Sequence, residues 1–309
     1  MSFAHDVKKE LSKHISVNNN EDFAELYGMM LFSRQFTCEE IKLKTESISV
    51  AERFIDLSAR LFAPVIEKQS TLKANREFIN LHTIKLILPD ECYRIYTSFG
   101  HLPNFTSLRL NRANIEDDAC KAAFIRGAFM ACGSVNDPQK NYHLEFCAAY
   151  KNLCNDLCTI IGEIDECNLL PKTILRGGSY VVYFKDSEQI TDLLTYIGAP
   201  MSAMDIMNAK AYKEMRNMAN RRTNSELANI QKTATAAAKQ LSAIDKLERT
   251  VGLESLPPQL YEIAVARRDN PELSLRDLGE MLEPPISRSG VNHRLMKLME
   301  LADAENSEE

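Results

Sequence analysis

The chain has 309 residues, which is too long for one ordinary domain, so two or three domains are expected. Hydrophobic residues make up 45% of it and charged residues 26%, as in ordinary soluble globular proteins, and no apolar run approaches the roughly 18 residues of a membrane-spanning helix. The net charge of −6 argues against non-specific attachment to polyanions, so any contact with nucleic acid is expected to be local.

The first predicted element is an N-terminal amphipathic helix in the segment MSFAHDVKKELSKHI. The segment lacks the apolar centre and the small-residue cleavage site of a signal peptide, so we expect a structural helix docked on the protein. Its apolar face would consist of Phe3, Val7, Leu11 and Ile15.

Eight cysteines are scattered along the chain, mostly within apolar patterns. Without an export signal, this distribution favours free thiols and a cytoplasmic location. Cys154 and Cys158 have the spacing of half a metal site, but no second pair and no nearby histidine completes it. We therefore expect no metal and no cofactor.

An internal repeat occupies most of the chain after this helix. The stretch FAELYGMMLFSRQF at 23–36 matches AFIRGAFMACGSV at 123–135 in apolar pattern and in a central glycine, Gly28 or Gly127. In both copies a strand-like run, an amphipathic helix, another strand and a last helix follow in the same order. This order predicts an α+β fold made of duplicated α/β repeats, with helices on one face of antiparallel sheets.

Each repeat begins with an apolar helix that has a glycine near its middle. A glycine within a helix costs roughly 0.5–1 kcal/mol relative to alanine, so a packing advantage is expected to offset it. Small residues let two helix backbones approach closely. We expect the two equivalent helices to pack at the axis that relates the repeats. The small residues at that contact would be Gly28, Gly127, Ala128 and Ala131.

The duplicated pattern resembles the LAGLIDADG homing-endonuclease fold, in which two α/β repeats pair their signature helices. In active members of that family each signature helix ends with an acid just before its final glycine, and the two acids hold the metal ions that cut DNA. Aligned through the central glycines, these positions are Ser33 and Cys132. A hydroxyl and a thiol do not replace the carboxylates that Mg²⁺ requires. The resemblance therefore implies a nuclease fold with lost catalytic positions, no metal site and no enzyme activity.

Residues 210–250 form a basic segment with nine Lys or Arg and four Asp or Glu. The segment is rich in alanine and free of proline, which predicts a helix from about Ser225, with Glu226 in its first turn. Its cations suit the phosphate backbone of DNA, a contact that carries no sequence information. A solvated linker face is the alternative. The predicted backbone contacts are Lys210, Lys213, Arg216, Arg221, Arg222 and Lys232.

The last segment predicts a helix-turn-helix module. After a helix over 258–268, Ser274 would cap a short helix. The apolar stripe of that helix would consist of Leu275, Leu278, Met281 and Leu282. Pro284 would stop that helix, and a tight turn would lead to a second helix capped by Ser287. The inward face of the second helix would consist of Val291, Leu295, Leu298 and Ala302.

The second of these helices has the chemistry of a DNA-recognition helix. Between Ile286 and Lys297 it carries three cations and no acid, although 251–309 as a whole is acidic. Arg288 can bridge a guanine and Asn292 an adenine in the major groove. A small three-helix module that binds protein is the alternative. The candidate DNA-binding residues are Ser274, Arg276, Ser287, Arg288, Ser289, Gly290, Asn292, His293, Arg294 and Lys297.

The order of a degenerate nuclease domain, a basic linker and a helix-turn-helix resembles the WhiA family of bacterial sporulation and cell-division regulators. The resemblance covers almost the whole chain, and RRTNSELANIQKT and LGEMLEPPISRSGVNHRL are its most specific stretches. It implies a sequence-specific DNA-binding transcriptional regulator of cell division, chromosome segregation and, where it occurs, sporulation. It also implies double-stranded DNA as the partner, another transcription regulator or RNA polymerase as a candidate protein partner, no membrane, and a nucleoid-associated location in the cytoplasm.

The predicted domains follow from these segments. The two LAGLIDADG-like repeats are expected at 1–105 and 106–209, the basic helical linker at 210–250 and the helix-turn-helix domain at 251–309. Two other functions remain as alternatives. One is an active or residual homing endonuclease that uses Asp137 as a metal ligand, and the other is a scaffold whose duplicated domain binds a protein or a small ligand.

Overall fold

The computed structural model describes residues 2–75, 77–103, 107–165 and 167–304, except for the side chains of residues 72–79. The chain divides into two compact units, Met1–Lys213 and Glu214–Glu309. No described helix combines the length and the apolar content that crossing a membrane requires.

The first repeat follows a short N-terminal helix and alternates helices with strands. The N-terminal helix is α1 (Phe3–Leu11). The elements of the repeat are α2 (Asn19–Leu31), β1 (Gln35–Phe36), β2 (Ile41–Thr45), α3 (Ile48–Phe62), β3 (Ile66–Asn75), β4 (Glu77–Leu86) and α4 (Pro89–Ser98). The strands form an antiparallel sheet in the order β1-β2-β4-β3. Ile41 and Leu43 of β2 are buried while Lys44 is exposed, because successive side chains of a strand point to opposite faces. One face of this sheet therefore covers the core.

The second repeat has the same order of elements. They are α5 (Asp118–Cys132), β5 (Gly133–Val135), β6 (Leu144–Ala148), α6 (Lys151–Gly162), β7 (Lys172–Arg176), β8 (Ser179–Phe184) and α7 (Ser187–Tyr196). The strand order β5-β6-β8-β7 repeats that of the first sheet, and every pairing is antiparallel. The predicted duplicated α+β fold is confirmed.

Helices α2 and α5 pack against each other through their central glycines. A Cβ on Gly28 would overlap the backbone of Phe124 and Ala128 in α5, and a Cβ on Gly127 would overlap the backbone of Glu25 in α2. Any side chain at either position would push the helices apart. The close approach therefore explains why the sequence keeps a residue that weakens an isolated helix.

A buried ion-pair network lies beside this crossing and was not predicted. The Glu25 carboxylate is fully buried and accepts hydrogen bonds from Nε of Arg126 at 2.8 Å and from Nε of Arg53 at 2.7 Å. Nη1 of Arg126 also donates to the carbonyl oxygen of Ile197 at 3.1 Å. Since Glu25 belongs to α2 and Arg126 to α5, the pair joins the two repeats in the core. The charged residues within otherwise apolar helices were the available sequence signal.

The N-terminal helix is shorter than its predicted apolar face. Val7 and Leu11 are buried as expected, but α1 ends at Leu11 and Ile15 is 86% exposed. The amide of Ser12 still bonds to the Lys8 carbonyl oxygen, and the chain then leaves the helix. The prediction for Ile15 is therefore wrong, because the helical spacing of apolar residues continues in the sequence beyond the last residue of the helix.

The basic segment lies within one long helix, α8 (Pro200–Thr250), so the predicted start near Ser225 is wrong. The Glu10 carboxylate accepts hydrogen bonds from the backbone amides of Met201 at 2.8 Å and Ser202 at 2.9 Å, in the first turn of α8. A carboxylate at this end of a helix satisfies unpaired N–H groups and complements the helix dipole. The cap comes from α1, which is distant in sequence, so local pattern could not locate it.

The two ends of α8 are buried in different cores. Ala203 and Ile206 pack in the core of the first unit, and Ile244 and Leu247 pack in the core of the second. All residues between these ends at 214–236 are exposed. The predicted domain limits within this region remain predictions.

Over its described residues, 214–304, the second unit contains helices and no strand. It contains the C-terminal part of α8 followed by α9 (Pro258–Asp269), α10 (Leu275–Glu280) and α11 (Arg288–Ala304). The predicted inward face of the last helix is confirmed, because it forms a core with Ile263, Ala264 and Leu278. Its buried residues are Val291, Leu295, Leu298 and Ala302.

The connection between α10 and α11 is longer than the predicted tight turn. Residues 281–287 separate the two helices, whereas turns in such modules have about 3–4 residues. The amide of Ile286 donates to the carbonyl oxygen of Gly279 at 3.0 Å, and a Cβ on Gly279 would overlap the Ile286 carbonyl oxygen. Met281 is 55% exposed and does not continue the apolar stripe, because α10 ends at Glu280.

Candidate nucleic-acid interface

The N-terminus of α11 presents a polar face on the side opposite its buried stripe. The Ser287 hydroxyl accepts a hydrogen bond from the amide of Gly290 at 3.2 Å, which is the predicted cap. From this cap onward the helix alternates buried positions such as Val291 with exposed positions. The exposed predicted residues are Arg288, Ser289, Asn292, His293 and Lys297.

The side chains on this face are not used inside the protein. Within the described part of the chain, Arg288, Asn292, His293 and Lys297 have no hydrogen bond and no ion pair. By contrast, Arg268 of α9 is paired with Glu248 at 2.9 Å. The face therefore carries a set of donors without acceptors, which is the state expected of a surface that contacts phosphates and base edges.

Gly290 lies within this face, and the fold does not require it. A Cβ at this position would make only ordinary contacts, with its nearest neighbours at 3.6 Å in Ile286 and 3.7 Å in Ser287. In this respect it differs from Gly279, which the backbone packing does require. The lack of a side chain at Gly290 leaves room for close approach of a partner to the helix backbone.

Arg294 differs from the other predicted contacts on α11. It is half-buried, and its Nη1 donates to the carbonyl oxygen of Gln259 at the start of α9 at a distance of 3.5 Å. The structure therefore places its guanidinium against the protein, away from the group around Arg288. A helical period alone could not reveal this, because the position borders the apolar stripe.

The two predicted residues on α10 have local partners. The Ser274 hydroxyl accepts a hydrogen bond from the amide of Asp277 at 3.3 Å, which confirms the N-cap. The same hydroxyl donates a hydrogen bond to the Asp277 carboxylate at 2.7 Å. Arg276 is exposed and pairs with Glu280 one turn later at 3.0 Å. An exposed pair of this kind contributes little to stability, so Arg276 can exchange its carboxylate for a phosphate at small cost.

Half of the predicted backbone contacts on α8 are engaged within the protein. Lys210 pairs with Glu188 at 2.8 Å. The Lys213 ammonium donates to the Pro138 carbonyl oxygen at 2.7 Å and lies 4.6 Å from the Tyr142 ring centroid. Arg222, the third engaged cation, pairs with Glu226 one turn along the same helix at 2.9 Å.

The other three predicted backbone contacts on α8 have no ion pair among the described residues. Arg216, Arg221 and Lys232 are all exposed. At about 100° per residue, Arg221 and Lys232 share one side of the helix, and Arg216 lies roughly 140° away. The unpaired cations therefore do not form a single stripe.

Neither of the two positions predicted to have lost a catalytic acid offers a carboxylate. Ser33 follows α2, and its hydroxyl donates to the carbonyl oxygen of Gln35 at 3.0 Å. Cys132 ends α5, and burial raises the pKa of its thiol to about 12. Asp137 is occupied in a turn, where its carboxylate accepts the amide of Gln139 at 2.8 Å. The described residues contain no group of three or more His, Cys, Asp or Glu placed to hold a metal ion.

Two segments of the chain match family models. Residues 121–216 match the WhiA LAGLIDADG-like domain, and residues 219–302 match the WhiA C-terminal HTH domain. The chain is also 38% identical over 320 aligned positions to the "Probable cell division protein WhiA" of Clostridium botulinum, and the match covers 98% of each protein. The chain belongs to the WhiA family. A second WhiA relative, from Clostridium perfringens, is 35% identical over 316 positions with the same coverage.

Solved structures of WhiA proteins have the same fold. The full-length DUF199/WhiA protein of Thermotoga maritima matches with a TM-score of 0.60 at 22% identity, over 98% of this chain and 99% of that one. The N-terminal LAGLIDADG domain of DUF199/WhiA matches with a TM-score of 0.50 at 19% identity, over 64% of this chain and 90% of that one. The architecture of a duplicated α/β body and a C-terminal helix-turn-helix domain is therefore that of the WhiA family.

Proposed function

We propose that this WhiA-family chain is a sequence-specific DNA-binding transcriptional regulator. The observation that carries the proposal is the set of unpaired donors on the exposed face of α11, which begins at a capped N-terminus. In helix-turn-helix proteins the N-terminal residues of the second helix contact base edges in the major groove. Arg288 and Asn292 lie at this end of α11 and are exposed.

The residues on this face have complementary roles in the proposal. Arg288 donates two hydrogen bonds to a guanine, and Asn292 bonds in both directions to an adenine. Lys297 and Arg276 contact phosphates and set the orientation of the module. The unpaired cations of α8 add contacts to the phosphate backbone, which raise affinity for every sequence.

The duplicated body binds without cutting in this proposal. Phosphodiester hydrolysis needs metal ions to stabilise charge and to supply hydroxide. Ser33 and Cys132 supply no carboxylate for them. Incubation of supercoiled plasmid with the protein and Mg²⁺ or Mn²⁺ tests this, and the plasmid is expected to remain uncut. Cleavage that Asp137→Asn abolishes would favour the nuclease instead.

Cell division is the process we propose for its targets. The curated relatives carry the name "Probable cell division protein WhiA". We extend this to genes of chromosome segregation and, where the source sporulates, of sporulation, on DNA of the nucleoid. Genome-wide mapping of bound DNA tests the assignment, and sites confined to unrelated genes would contradict it.

The test of sequence recognition is selection of duplexes from a random pool with the full-length protein. The wild type is expected to enrich one motif, and Arg288→Ala is expected to lose preference at one base position, since a base contact is worth about 1–3 kcal/mol. Arg249→Ala is a matched control, because Arg249 is exposed at the end of α8 and pairs only along its own helix with Asp245. An unchanged motif with Arg288→Ala would overturn the assignment of α11.

A further inference from the structure

A polar pocket of about 370 Å³ lies at the C-terminal end of α5 in the first unit. Its walls are formed by helix α1, the junction of β2 with α3, Leu81 of β4, and the end of α5 with the residues around Gly133. Its basic side chains are His5, Lys8 and Lys44, and its one acidic side chain is Glu46.

The duplication produces a counterpart of this pocket at the end of α2. That counterpart has a volume of about 250 Å³. It is lined by Ser33 and Arg34 together with Ala149 and Tyr150, which come directly before α6. In the polar pocket the equivalent position is that of Ser47, the N-cap of α3, and α1 adds a wall. The lysine and the histidine of α1 are therefore additions to the duplicated frame.

Lys8 is a cation without a partner. Burial lowers the pKa of its ammonium group, and Glu46 and the thiols of Cys132 and Cys147 oppose that shift. No hydrogen bond or ion pair of the Lys8 ammonium occurs among the described residues. Lys8 is half-buried, and a cation that is partly removed from water without an ion pair destabilises a protein, so its presence in a pocket indicates an anion that is supplied from outside.

Ser47 supplies a second, independent sign of a ligand. The residue is 3% exposed, lines the pocket, and its hydroxyl oxygen has no hydrogen-bond partner among the described residues. It is also the N-cap residue of α3, yet its side chain makes no capping bond. The hydroxyl of Ser47 therefore remains as a hydrogen-bond donor in the pocket that Lys8 also lines.

We infer that this pocket binds a phosphate group, held by the ammonium groups of Lys8 and Lys44 and by the Ser47 hydroxyl. The volume suits a small phosphate monoester, since it lies at the lower end of the range for small-molecule sites. A phosphate of the DNA backbone offers the same chemistry. The position is next to Cys132, so a cationic pocket borders the end of the helix where active LAGLIDADG nucleases hold metal cations. The inference does not depend on base recognition by α11.

The direct test is titration of the full-length protein with inorganic phosphate, followed by ³¹P NMR and calorimetry. The wild type is expected to bind, and Lys8→Met is expected to bind at least about tenfold more weakly, because a charge-assisted hydrogen bond is lost. Ser47→Ala is expected to weaken binding to a smaller extent. Lys9→Met is the matched control, since Lys9 is exposed on the same helix outside the pocket and carries the same charge.

Thermal unfolding is a second measurement, and it distinguishes phosphate binding by Lys8 from a purely structural role of this residue. In phosphate-free buffer Lys8→Met is expected to unfold at a higher temperature than the wild type, because a half-buried charge without an ion pair is removed. Addition of phosphate is expected to raise the unfolding temperature of the wild type and of Lys9→Met, but not of Lys8→Met. Phosphate binding by Lys8→Met equal to the wild type, or no binding by the wild type at millimolar phosphate, overturns the inference.

A competition arm distinguishes the two sources of phosphate. If a short duplex displaces inorganic phosphate from the wild type, the site binds the DNA backbone. If the duplex does not displace it, while nucleoside 5′-monophosphates or sugar phosphates do, the site binds a free phosphate monoester. Both results support the phosphate site. Displacement equally by chloride at the same ionic strength would contradict a site built for phosphate.

Discussion

Gly28 of α2 and Gly127 of α5 have a reciprocal relationship across the crossing of their helices. Gly28 packs against the α5 backbone at Phe124 and Ala128, and Gly127 packs against the α2 backbone at Glu25. Each glycine therefore makes room for the helix that carries the other. This contact joins the two repeats, and it sets the position of the pockets at the two helix ends.

Replacement of either glycine by alanine should destabilise the first unit. The new methyl group would overlap backbone atoms, which cannot rotate away as a flexible side chain can, so we expect a loss of about 1–3 kcal/mol or more. Urea unfolding of Gly28→Ala and Gly127→Ala measures it. Gly162→Ala is the control, because nothing lies within 4 Å of a Cβ there. A control as unstable as the two variants would refute the packing explanation.

The buried carboxylate beside the crossing should be essential for stability. Glu25→Gln removes the charge that pairs with Arg126 and Arg53, whose side chains are 3% and 10% exposed. Removal of one partner of a buried pair costs about 3–5 kcal/mol, since the remaining charge is left uncompensated. Glu226→Gln breaks an exposed pair with Arg222 and is expected to cost less than about 0.5 kcal/mol. Equal losses in chemical denaturation would contradict the importance of burial.

Acid should weaken the first unit through His101. The imidazole Nε2 of His101 lies 3.1 Å from the Tyr27 hydroxyl oxygen, which also accepts a hydrogen bond from the amide of Asn111. Burial lowers the pKa of His101 to about 4. The unfolded chain takes up the proton near pH 6.5 and the folded chain only near pH 4, so stability is full above this range and falls as the pH drops through it. The loss amounts to about 3 kcal/mol at most.

Calorimetric unfolding between pH 7 and pH 4 measures this loss. His101→Gln keeps an acceptor for Tyr27 but cannot titrate, so its stability should vary less with pH than that of the wild type. His293→Gln, which changes an exposed histidine of α11, is the control substitution. An identical pH dependence in the wild type and His101→Gln would show that other groups are responsible.

Local pattern predicted the order of elements in both repeats, the role of the two central glycines and the buried stripe of α11. These features depend on periodicity and on residue size, which a sequence displays directly. The start of α8 could not be predicted, because its N-terminal amides are capped by Glu10 from another helix. The position of Arg294 was also inaccessible, since it depends on a carbonyl group of α9.

The pairing of charged residues was equally hidden in the sequence. Lys210, Lys213 and Arg222 belong to the basic segment, yet each has a partner within the protein. Arg288 and Lys297 have none among the described residues. Counts of charge along the chain could not separate these two groups, because the partners come from folding.

Gly290 offers a test of recognition that leaves the fold intact. Gly290→Ala should not reduce stability, because a Cβ there meets neighbours only at ordinary contact distances and alanine favours the helix by up to about 1 kcal/mol. We expect weaker binding to the selected DNA motif, since the methyl group occupies space at the interface. Anisotropy titrations with labelled duplex measure it. Binding as strong as that of the wild type would exclude close contact at this position.

The most direct test of base recognition by α11 compares Arg288→Ala with Arg216→Ala in anisotropy titrations. Both remove one exposed cation, and the titrations use the selected motif and a scrambled duplex over a range of salt concentrations. Arg288→Ala should lower the ratio of specific to non-specific affinity by about 1–3 kcal/mol. Arg216→Ala should weaken both duplexes alike and reduce the salt dependence by about one unit. A specificity ratio that Arg288→Ala leaves unchanged would contradict the account.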